Sequence, residues 1–278
     1  MVKYVLCRPG GGLNDCLKRI EVCHEYCKKY KRILLVDTNY DIYINEPFCK
    51  YFGFNKTNVV STNDAIHKII ADPTKTVYPK NLQGQLLSYK RIYSKNIRGY
   101  QTDDGTPLNV LPDDQTCDII LYHTCGGGIP KLLMNKITIN KDHCEIILQK
   151  YKLVPKPYIS IHIRNTDYKL DYKTFYEANK NAINGKNVFL ATDSIEARDY
   201  FKSKKNDIIN FAQLDKDNKP LHSQSIKFPL VEALVDLIIL GLGNHFILPP
   251  VQYGFTKLAY YLYNNKHVIH QITHGMLK

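Results

Sequence analysis

The chain has 278 residues, of which 44% are hydrophobic and 23% are charged, and its formal net charge is +12. This composition excludes a disordered or collagen-like protein, and the length fits two domains of about 140 residues each. The net charge permits an anionic partner such as nucleic acid, an anionic membrane surface or a nucleotide diphosphate. The basic residues are scattered along the chain, which is typical of a solvated surface, so charge alone favours none of these partners.

The first half of the sequence predicts a βαβ unit followed by less regular structure. We expect strands over 3–7 and 33–36, a helix over 14–31 between them, and further strands at 58–60 and 118–122. Residues 47–54 predict a short helix and turn, residues 81–114 predict loops with one helix at most, and residues 142–151 predict a helix. The segment 154–157 (Val-Pro-Lys-Pro) predicts a rigid connection. We therefore expect domains over 1–153 and 154–278.

The second half alternates predicted strands and helices, which indicates a doubly wound parallel sheet. Strands are expected over 158–164, 187–191, 207–211, 245–248 and 267–270, with helices over 173–183, 195–204, 229–241 and 254–264 and a loop around 213–228. The most apolar stretch, 234–248, contains Asp236 and is too short to span a bilayer. The first predicted strand begins at residue 3, and no charged segment followed by an apolar segment precedes it, so we expect no signal peptide. We expect no membrane span either.

The strand at 158–164 ends in polar side chains. Ile159, Ile161 and Ile163 alternate with Ser160, His162 and Arg164, so His162 and Arg164 share a face of the strand. Ligands bind at the carboxyl ends of strands in open α/β sheets, and a guanidinium matches phosphate oxygens. A surface salt bridge explains the same residues equally well.

Residues 161–168 (Ile-His-Ile-Arg-Asn-Thr-Asp-Tyr) resemble the His-x-Arg-Arg-(Gly/Thr)-Asp motif of the fucosyltransferase superfamily. Three later segments are similar to that superfamily's motifs in the same order, namely 189–194 (Phe-Leu-Ala-Thr-Asp-Ser), 233–237 (Ala-Leu-Val-Asp-Leu) and 254–259 (Gly-Phe-Thr-Lys-Leu-Ala). Residues 10–15 (Gly-Gly-Gly-Leu-Asn-Asp) resemble its glycine-rich first loop. Asn165 departs from the motif, because it replaces the second Arg.

The resemblance implies an α/β fold of the GT-B type, with two Rossmann-like domains facing across a cleft. It also implies that Arg164 holds the donor's β-phosphate, and that Gly254, Phe255 and Thr256 contact the phosphates at a helix N-terminus. Asp236 would accept hydrogen bonds from a guanine; pairing with a local Lys or Arg is the alternative. His162 could contact phosphate or base, or be a core histidine. Asp193 could bind ribose or base, or only cap a helix.

The glycine-rich loop is expected to let the backbone of Gly11 and Gly12 approach the donor closely. It matches neither a dinucleotide fingerprint nor a P-loop. Fucosyl transfer with inversion needs a general base, for which Asp15, Asp37 and Asp171 are the candidates. Asp171 lies near the position of the base Glu in the α1,6-fucosyltransferases, although not in register.

No metal site is expected. Cys23 and Cys27 share a helix face near His24, but no second ligand pair accompanies them, so we expect buried core thiols. Eight irregularly spaced cysteines are expected to be reduced. Eukaryotic fucosyltransferases usually carry a membrane anchor and a lumenal domain. Since neither is expected here, we expect a cytoplasmic enzyme of a microbe or of a host cell, where it could be virus-encoded.

These observations favour an inverting, metal-independent glycosyltransferase that moves a sugar, with fucose as first choice, from a nucleotide diphosphate donor to a glycan or glycoprotein acceptor. No other cofactor is expected. One alternative is the same fold with a UDP-pentose donor such as UDP-xylose, which Asn165 keeps open. A second alternative is a basic nucleic-acid-binding protein. The sequence has no clustered basic patch and no recognisable nucleic-acid-binding motif, so nucleic acid is not expected as a partner. A third is a degenerate glycosyltransferase that only binds glycan.

Overall fold

The computed structural model describes residues 2–40, 44–55, 58–113, 116–205, 207–214 and 230–277. The chain forms two compact units, which divide between Thr138 and Ile139. The helix over Lys141–Lys152 packs against the helix over Leu230–Leu242 and therefore lies in the second unit, ahead of the predicted boundary at 153/154. Most of the predicted loop at 213–228 lies outside the described residues.

The first unit is built on a parallel five-stranded sheet with the strand order β4-β2-β1-β8-β5. Its elements are β1 (Tyr4–Gly10), α1 (Leu13–Tyr30), β2 (Ile33–Val36), β3 (Phe52–Phe54), β4 (Val59–Val60), α2 (Asn63–Ile70), β5 (Val77–Tyr78), β6 (Ile92–Ser94), β7 (Gly99–Gln101), β8 (Ile119–Cys125), α3 (Lys131–Met134) and β9 (Ile137–Ile139). Short 3-10 helices cover Phe48–Lys50 and Lys80–Leu82.

The predicted βαβ opening is confirmed, because β1 pairs with β2 in parallel across α1. Strands β6 and β7 form an antiparallel hairpin inside the stretch that was predicted to be loops.

The second unit is built on a parallel four-stranded sheet with the strand order β12-β11-β10-β13. Its elements are α4 (Lys141–Lys152), β10 (Tyr158–Ile163), α5 (Tyr172–Ile183), β11 (Asn187–Thr192), α6 (Ile195–Lys204), β12 (Ile208–Ile209), α7 (Leu230–Leu242), β13 (His245–Ile247), α8 (Gly254–Asn264) and α9 (Lys266–Ile272). The predicted alternation of strands and helices is confirmed up to α8.

The two faces of β10 are both buried. Ile159, Ile161 and Ile163 pack with residues of α5 and α6 in one apolar cluster. The alternate side chains face the other side, where the Tyr158 hydroxyl donates to the carbonyl of Ile239 in α7 at 2.7 Å. His162 and the continuing Arg164 belong to this second face by the two-residue period of a strand.

The predicted closing strand over 267–270 is wrong, because these residues lie in α9. Val268, Ile269 and Ile272 are all buried, and their spacing places them on one face of a helix. A short apolar run is compatible with a strand or with a buried helix. Here the run forms a helix, α9, which packs against α7 and α8.

All eight cysteines are free thiols, as expected from their spacing, and Cys16, Cys23 and Cys27 are buried in α1. Within the described ranges, no helix combines the length and the apolar character that a membrane span requires.

Candidate functional site

The carboxyl end of β10 leads into a loop that is fixed by Asp193. Strand β10 lies between β11 and β13, so its end is at the middle of the sheet edge. Asp193, just after β11, accepts hydrogen bonds from the Asn165 backbone N–H at 2.8 Å and from the Thr166 hydroxyl. The next residue, Ser194, caps α6 by accepting from the Ala197 N–H at 3.3 Å. In this structure Asp193 therefore orients the loop that carries Arg164.

His162 joins the end of β10 to the first turn of α8. Its Nδ1 lies 2.7 Å from Oγ1 of the buried Thr256, and its ring centroid lies 5.1 Å from that of Phe255. Burial, together with the charge of Arg164, lowers the pKa of His162 to about 3. The imidazole is therefore neutral near pH 7, and it positions α8 by a hydrogen bond.

The N-terminus of α8 presents backbone N–H groups without a side-chain cap. The N-cap residue is Tyr253, and its side chain makes no capping hydrogen bond to the backbone N–H groups of the first turn. Gly254 opens the helix and is only partly buried. Uncapped N–H groups and the helix dipole both favour a bound anion at this end.

We expect Thr256→Val to lower the free energy of unfolding by about 1–3 kcal/mol, because the buried His162 Nδ1 loses its partner. Thr256→Ser keeps the hydroxyl and serves as the matched control. Urea unfolding of both variants is the measurement. Equal stability of Thr256→Val and the wild type would show that the hydrogen bond does not tie β10 to α8.

Arg164 forms a two-point ion pair with Asp167 on the same loop. Its Nε donates to Asp167 Oδ1 at 2.8 Å, and its Nη2 donates to Oδ2 at 2.6 Å. The guanidinium also lies 5.5 Å from the ring centroid of Tyr168, and that ring stacks on Tyr253 with centroids 4.3 Å apart. The arginine and the N-terminus of α8 are thus brought together through one pair of stacked tyrosines.

Asn165 faces the interior of the loop. Its side chain donates to Ser194 Oγ at 3.4 Å and accepts from the Leu170 N–H at 3.3 Å, and the residue is 4% exposed. The position that carries a second Arg in the motif therefore contributes to loop structure here, and Arg164 supplies the guanidinium at this strand end.

Asp236 is a buried carboxyl group on α7 with an unsatisfied oxygen. It is 5% exposed, and its Oδ1 has no hydrogen-bond partner among the described residues. Burial, with a smaller contribution from the charge of Glu232, raises the pKa of Asp236 to about 8. The predicted alternative, an ion pair with a local Lys or Arg, is not seen in the part of the chain that the structure describes. Such a group is costly to bury without a partner, and a ligand with N–H donors would supply one.

In the first unit, Asp15 lies between two glycine-rich loops. Gly11 has a φ of 102°, and a methyl group added there would lie 3.0 Å from Asp15 Oδ2. A methyl group on Gly127, in the loop after β8, would lie 2.8 Å from Asp15 Oδ1. Gly12 is the N-cap of α1, and nothing lies within 4 Å of a methyl group placed there. The carboxylate is half-buried at the strand edge where the loops meet.

Asp37 is committed to a buried ion pair. Its Oδ2 accepts from Arg8 Nε at 2.9 Å, and the side chains of Arg8 and Asp37 are 0% and 1% exposed. Arg8 also donates to the carbonyl of Leu86 at 2.7 Å, and its guanidinium lies 3.7 Å from the ring centroid of Tyr40. These contacts give Asp37 a structural role in joining β1 and β2.

Asp171 is the N-cap of α5. It accepts from the Thr174 backbone N–H at 3.0 Å and from the Thr174 hydroxyl at 2.7 Å. These hydrogen bonds hold the pKa of Asp171 below its usual range. An exposed carboxylate of low basicity that already accepts two hydrogen bonds is a poor general base.

No protein-family model matches the sequence, and no curated protein matches it. Solved structures of fucosyltransferases do match. The fucosyltransferase NodZ from Bradyrhizobium is 19% identical with a TM-score of 0.69, over 94% of this chain and 93% of that one. POFUT1 in complex with GDP is 13% identical with a TM-score of 0.54, over 94% and 95% of the two chains. A mutant of FUT1 from Arabidopsis thaliana in complex with GDP is 11% identical with a TM-score of 0.52, over 94% and 68%.

The chain has the fold of these fucosyltransferases. The predicted α/β fold class of the GT-B type is thereby confirmed, and so is the resemblance from which it was inferred. At these identities the likeness is one of fold, and the chemistry of the site must be argued from the residues of this chain.

The structure brings many of the predicted residues into two groups. His162, Arg164, Phe255 and Thr256 lie together where β10 ends beside α8, with Asp193 behind the loop. Gly11 and Asp15 lie together in the first unit. Asp37 and Asp171 instead have the structural partners described above.

The sequence predicted no role for two residues at the β10 end, Tyr168 and Tyr253, and it placed Asp167 at this strand end without naming its partner. The spacing of Arg164 and Asp167, three residues apart in a turn, was a signal for their pairing. The stacking of Tyr168 on Tyr253 joins segments 85 residues apart (253 − 168) and left no local signal. Among the described residues, no group of three or more His, Cys, Asp or Glu side chains could hold a metal ion.

Proposed function

We propose that this chain is a glycosyltransferase that uses a nucleotide diphosphate sugar, with GDP-fucose as first choice. The observation that carries the proposal is the joining of Arg164 and the uncapped N-terminus of α8 at one strand end. It is supported by the fold, because the matching structures include NodZ soaked with GDP-fucose and POFUT1 with GDP. A glycan or glycoprotein is the proposed acceptor, in line with the superfamily that the motifs resemble.

The diphosphate is proposed to bind between the Arg164 guanidinium and the first turn of α8. The guanidinium offers fixed N–H donors, and Gly254 lets phosphate oxygens approach the helix N-terminus. As the sugar leaves, negative charge grows on the diphosphate, and both groups stabilise it there. These two sources of positive charge can act without a divalent cation, so the proposal assigns no role to a metal ion.

Asp236 is proposed to select guanine. The N1–H and N2–H groups of guanine are two adjacent donors that a single carboxylate accepts, so Asp236 releases its proton when guanine binds. Uracil presents one N–H between two carbonyl oxygens, and these would face a carboxylate unfavourably. A buried carboxyl group with an unsatisfied oxygen therefore favours a GDP-linked donor over the UDP-pentose alternative.

Transfer is proposed to proceed with inversion. The acceptor hydroxyl attacks the anomeric carbon from the face opposite the diphosphate, the new C–O bond forms as the bond to the phosphate oxygen breaks, and GDP leaves. The hydroxyl proton must pass to a base. Of the three candidates, we assign this role to Asp15, because Asp37 is buried against Arg8 and Asp171 caps α5.

A thermal-shift panel with GDP, UDP, CDP, GDP-fucose and UDP-xylose, with and without Mg²⁺, tests the proposal. A ligand that binds only the folded chain raises its melting temperature with occupancy. We expect a shift that is selective for GDP and GDP-fucose and independent of the metal. A UDP-selective shift would move the donor to a UDP-sugar, and no shift with any nucleotide would contradict the proposed function.

Asp236→Asn is expected to weaken GDP binding at least tenfold at pH 8, because an amide cannot accept from both guanine donors. Asp199→Asn, which changes an exposed carboxylate on α6, is the matched control. Isothermal titration calorimetry gives both affinities. Equal GDP affinity in Asp236→Asn and the wild type would remove guanine recognition from this residue.

The same variant should change the pH dependence of stability. The pKa of Asp236 is raised in the folded chain, so its contribution is present below about pH 4 and is lost as pH rises toward 8. Asp236→Asn lacks this loss, and its stability relative to the wild type should rise by about 2 kcal/mol between pH 6 and pH 8. A flat difference in urea unfolding over this range would contradict the assigned pKa.

A further inference from the structure

The hairpin of β6 and β7 exposes aromatic and apolar side chains. Tyr93 is 52% exposed and Ile92 is 49% exposed. The Tyr93 ring meets Tyr100 edge to face, with centroids 5.9 Å apart. Exposed, mutually supported tyrosine rings provide flat apolar surfaces of the kind that bind the C–H faces of sugars.

The hairpin lies beside the strand edge that carries Asp15. Tyr100 packs against His123 of β8, with centroids 5.0 Å apart. A methyl group on Gly10, the last residue of β1, would lie 3.0 Å from Tyr100 Cε2. Gly10 and Cys125 are register partners at the ends of β1 and β8, from which both glycine-rich loops leave. A ligand on the hairpin would therefore lie beside the glycine-rich loops of the same unit.

The hairpin region carries a local cluster of basic residues, which differs from the scattered distribution expected from the sequence, and Asp103 and Asp104 follow it directly. Residues 84–102 contain Lys90, Arg91, Lys95 and Arg98 and no Asp or Glu. None of these four cations forms an ion pair within the described ranges, although Arg91 lies 4.9 Å from the ring centroid of Tyr100. A surface that carries these four cations without an ion-pair partner is complementary to an anion.

Beneath the hairpin, two buried nitrogen atoms are unsatisfied. Arg8 Nη2 and His123 Nε2 have no hydrogen-bond partner among the described residues. Both side chains pack with Tyr40 and Tyr89, so they belong to one aromatic cluster under the surface. A buried polar atom without a partner costs free energy, and an oxygen-bearing ligand or water that enters the cluster would satisfy it.

We propose that the β6–β7 hairpin binds an acidic oligosaccharide, which makes a carboxylate-bearing glycan the acceptor class of the enzyme. The inference rests on the proposed function, since it places the acceptor on the unit that holds Asp15. Arg91 and Lys95 bind the carboxylates, and Tyr93 packs on the sugar rings. Single-stranded nucleic acid also combines phosphate charge with flat rings. The fucosyltransferase fold favours the glycan, and the nucleic acid is an outcome of the test.

The test is isothermal titration calorimetry of the full chain with tetragalacturonate, with neutral chitotetraose and with the oligonucleotide dT12, all at 150 mM salt. We expect tetragalacturonate to bind at least tenfold more tightly than the other two ligands. Arg91→Gln/Lys95→Gln and Tyr93→Ala should each weaken it at least tenfold. Lys68→Gln/Lys180→Gln, which removes the same charge from exposed positions on α2 and α5, should leave its affinity unchanged.

Three results would overturn the inference: tighter binding of dT12, equal binding of the neutral tetrasaccharide, or tetragalacturonate affinity that the hairpin variants do not change. If none of the three ligands binds, the inference is overturned as well. A GDP thermal shift measured on the same samples separates the two proposals. If GDP binds and the acidic glycan does not, the acceptor inference alone fails; if GDP also fails to bind, the proposed function fails with it.

Discussion

Arg164→Ala is expected to lower the rate constant kcat of sugar transfer by about 10²–10³-fold, because the leaving diphosphate loses its guanidinium. The fold should survive the change. The side chains of Arg164 and Asp167 are 22% and 29% exposed, and a partly exposed ion pair of this kind contributes at most about 1 kcal/mol. The free energy of unfolding, from urea titration, should therefore stay close to that of the wild type while turnover of GDP-fucose is lost.

Two further variants sharpen this prediction. Arg164→Lys keeps the charge but not the planar fork, so it should recover only part of the lost rate. Arg198→Ala removes an arginine of similar exposure that pairs with the neighbouring Asp199, and it should leave transfer unchanged. Turnover of Arg164→Ala within threefold of the wild type would remove Arg164 from the proposed mechanism.

The placement of the β10 site could be predicted because it depends on local rules. Alternation along 158–164 places His162 and Arg164 on one face, and the turn residues after them mark the strand end. The parallel sheet then puts that end beside the turn after β11, where Asp193 lies. These steps use the sequence period and the topology only, and the structure agrees with each of them.

The partners of the buried charged groups could not be predicted in the same way. Asp236 was recognised as a carboxyl group inside an apolar helix, but only the packing shows that its Oδ1 has no described partner. Arg8 interrupts an apolar strand and Asp37 ends the neighbouring one, which in retrospect was the signal for their ion pair. Contacts between residues distant in the sequence depend on side-chain directions that no single segment determines.

Asn165 shows how a departure from a motif is resolved by structure. From the sequence, its replacement of an Arg left the donor open. In the structure its buried side chain donates to Ser194 Oγ and accepts from the Leu170 N–H, so Asn165 stabilises the loop without adding a charge. The choice of donor then depends on Asp236, which is proposed to recognise guanine. Asn165 no longer bears on that choice.

Asp37→Ala is expected to destabilise the first unit by about 3–5 kcal/mol, because it leaves the Arg8 charge buried without its partner. Any loss of activity in this variant would follow from the loss of structure. Asp37→Leu combined with Arg8→Met should restore most of the stability, since apolar residues of similar volume often replace a buried ion pair at little cost. Thermal and urea unfolding of the single and double variants measure both effects.

Asp15→Asn tests the proposed catalytic role of Asp15, in contrast to the structural role of Asp37. Its carboxylate is half-buried beside Gly11 and Gly127, and the amide has the same shape, so stability should change by less than about 1 kcal/mol. Transfer should fall by about 10²–10⁴-fold, the usual contribution of a general base, while GDP affinity stays unchanged. The reverse pattern, with a stable and inactive Asp37→Ala and an active Asp15→Asn, would exchange the two roles and would require Asp37 to separate from Arg8 during the reaction.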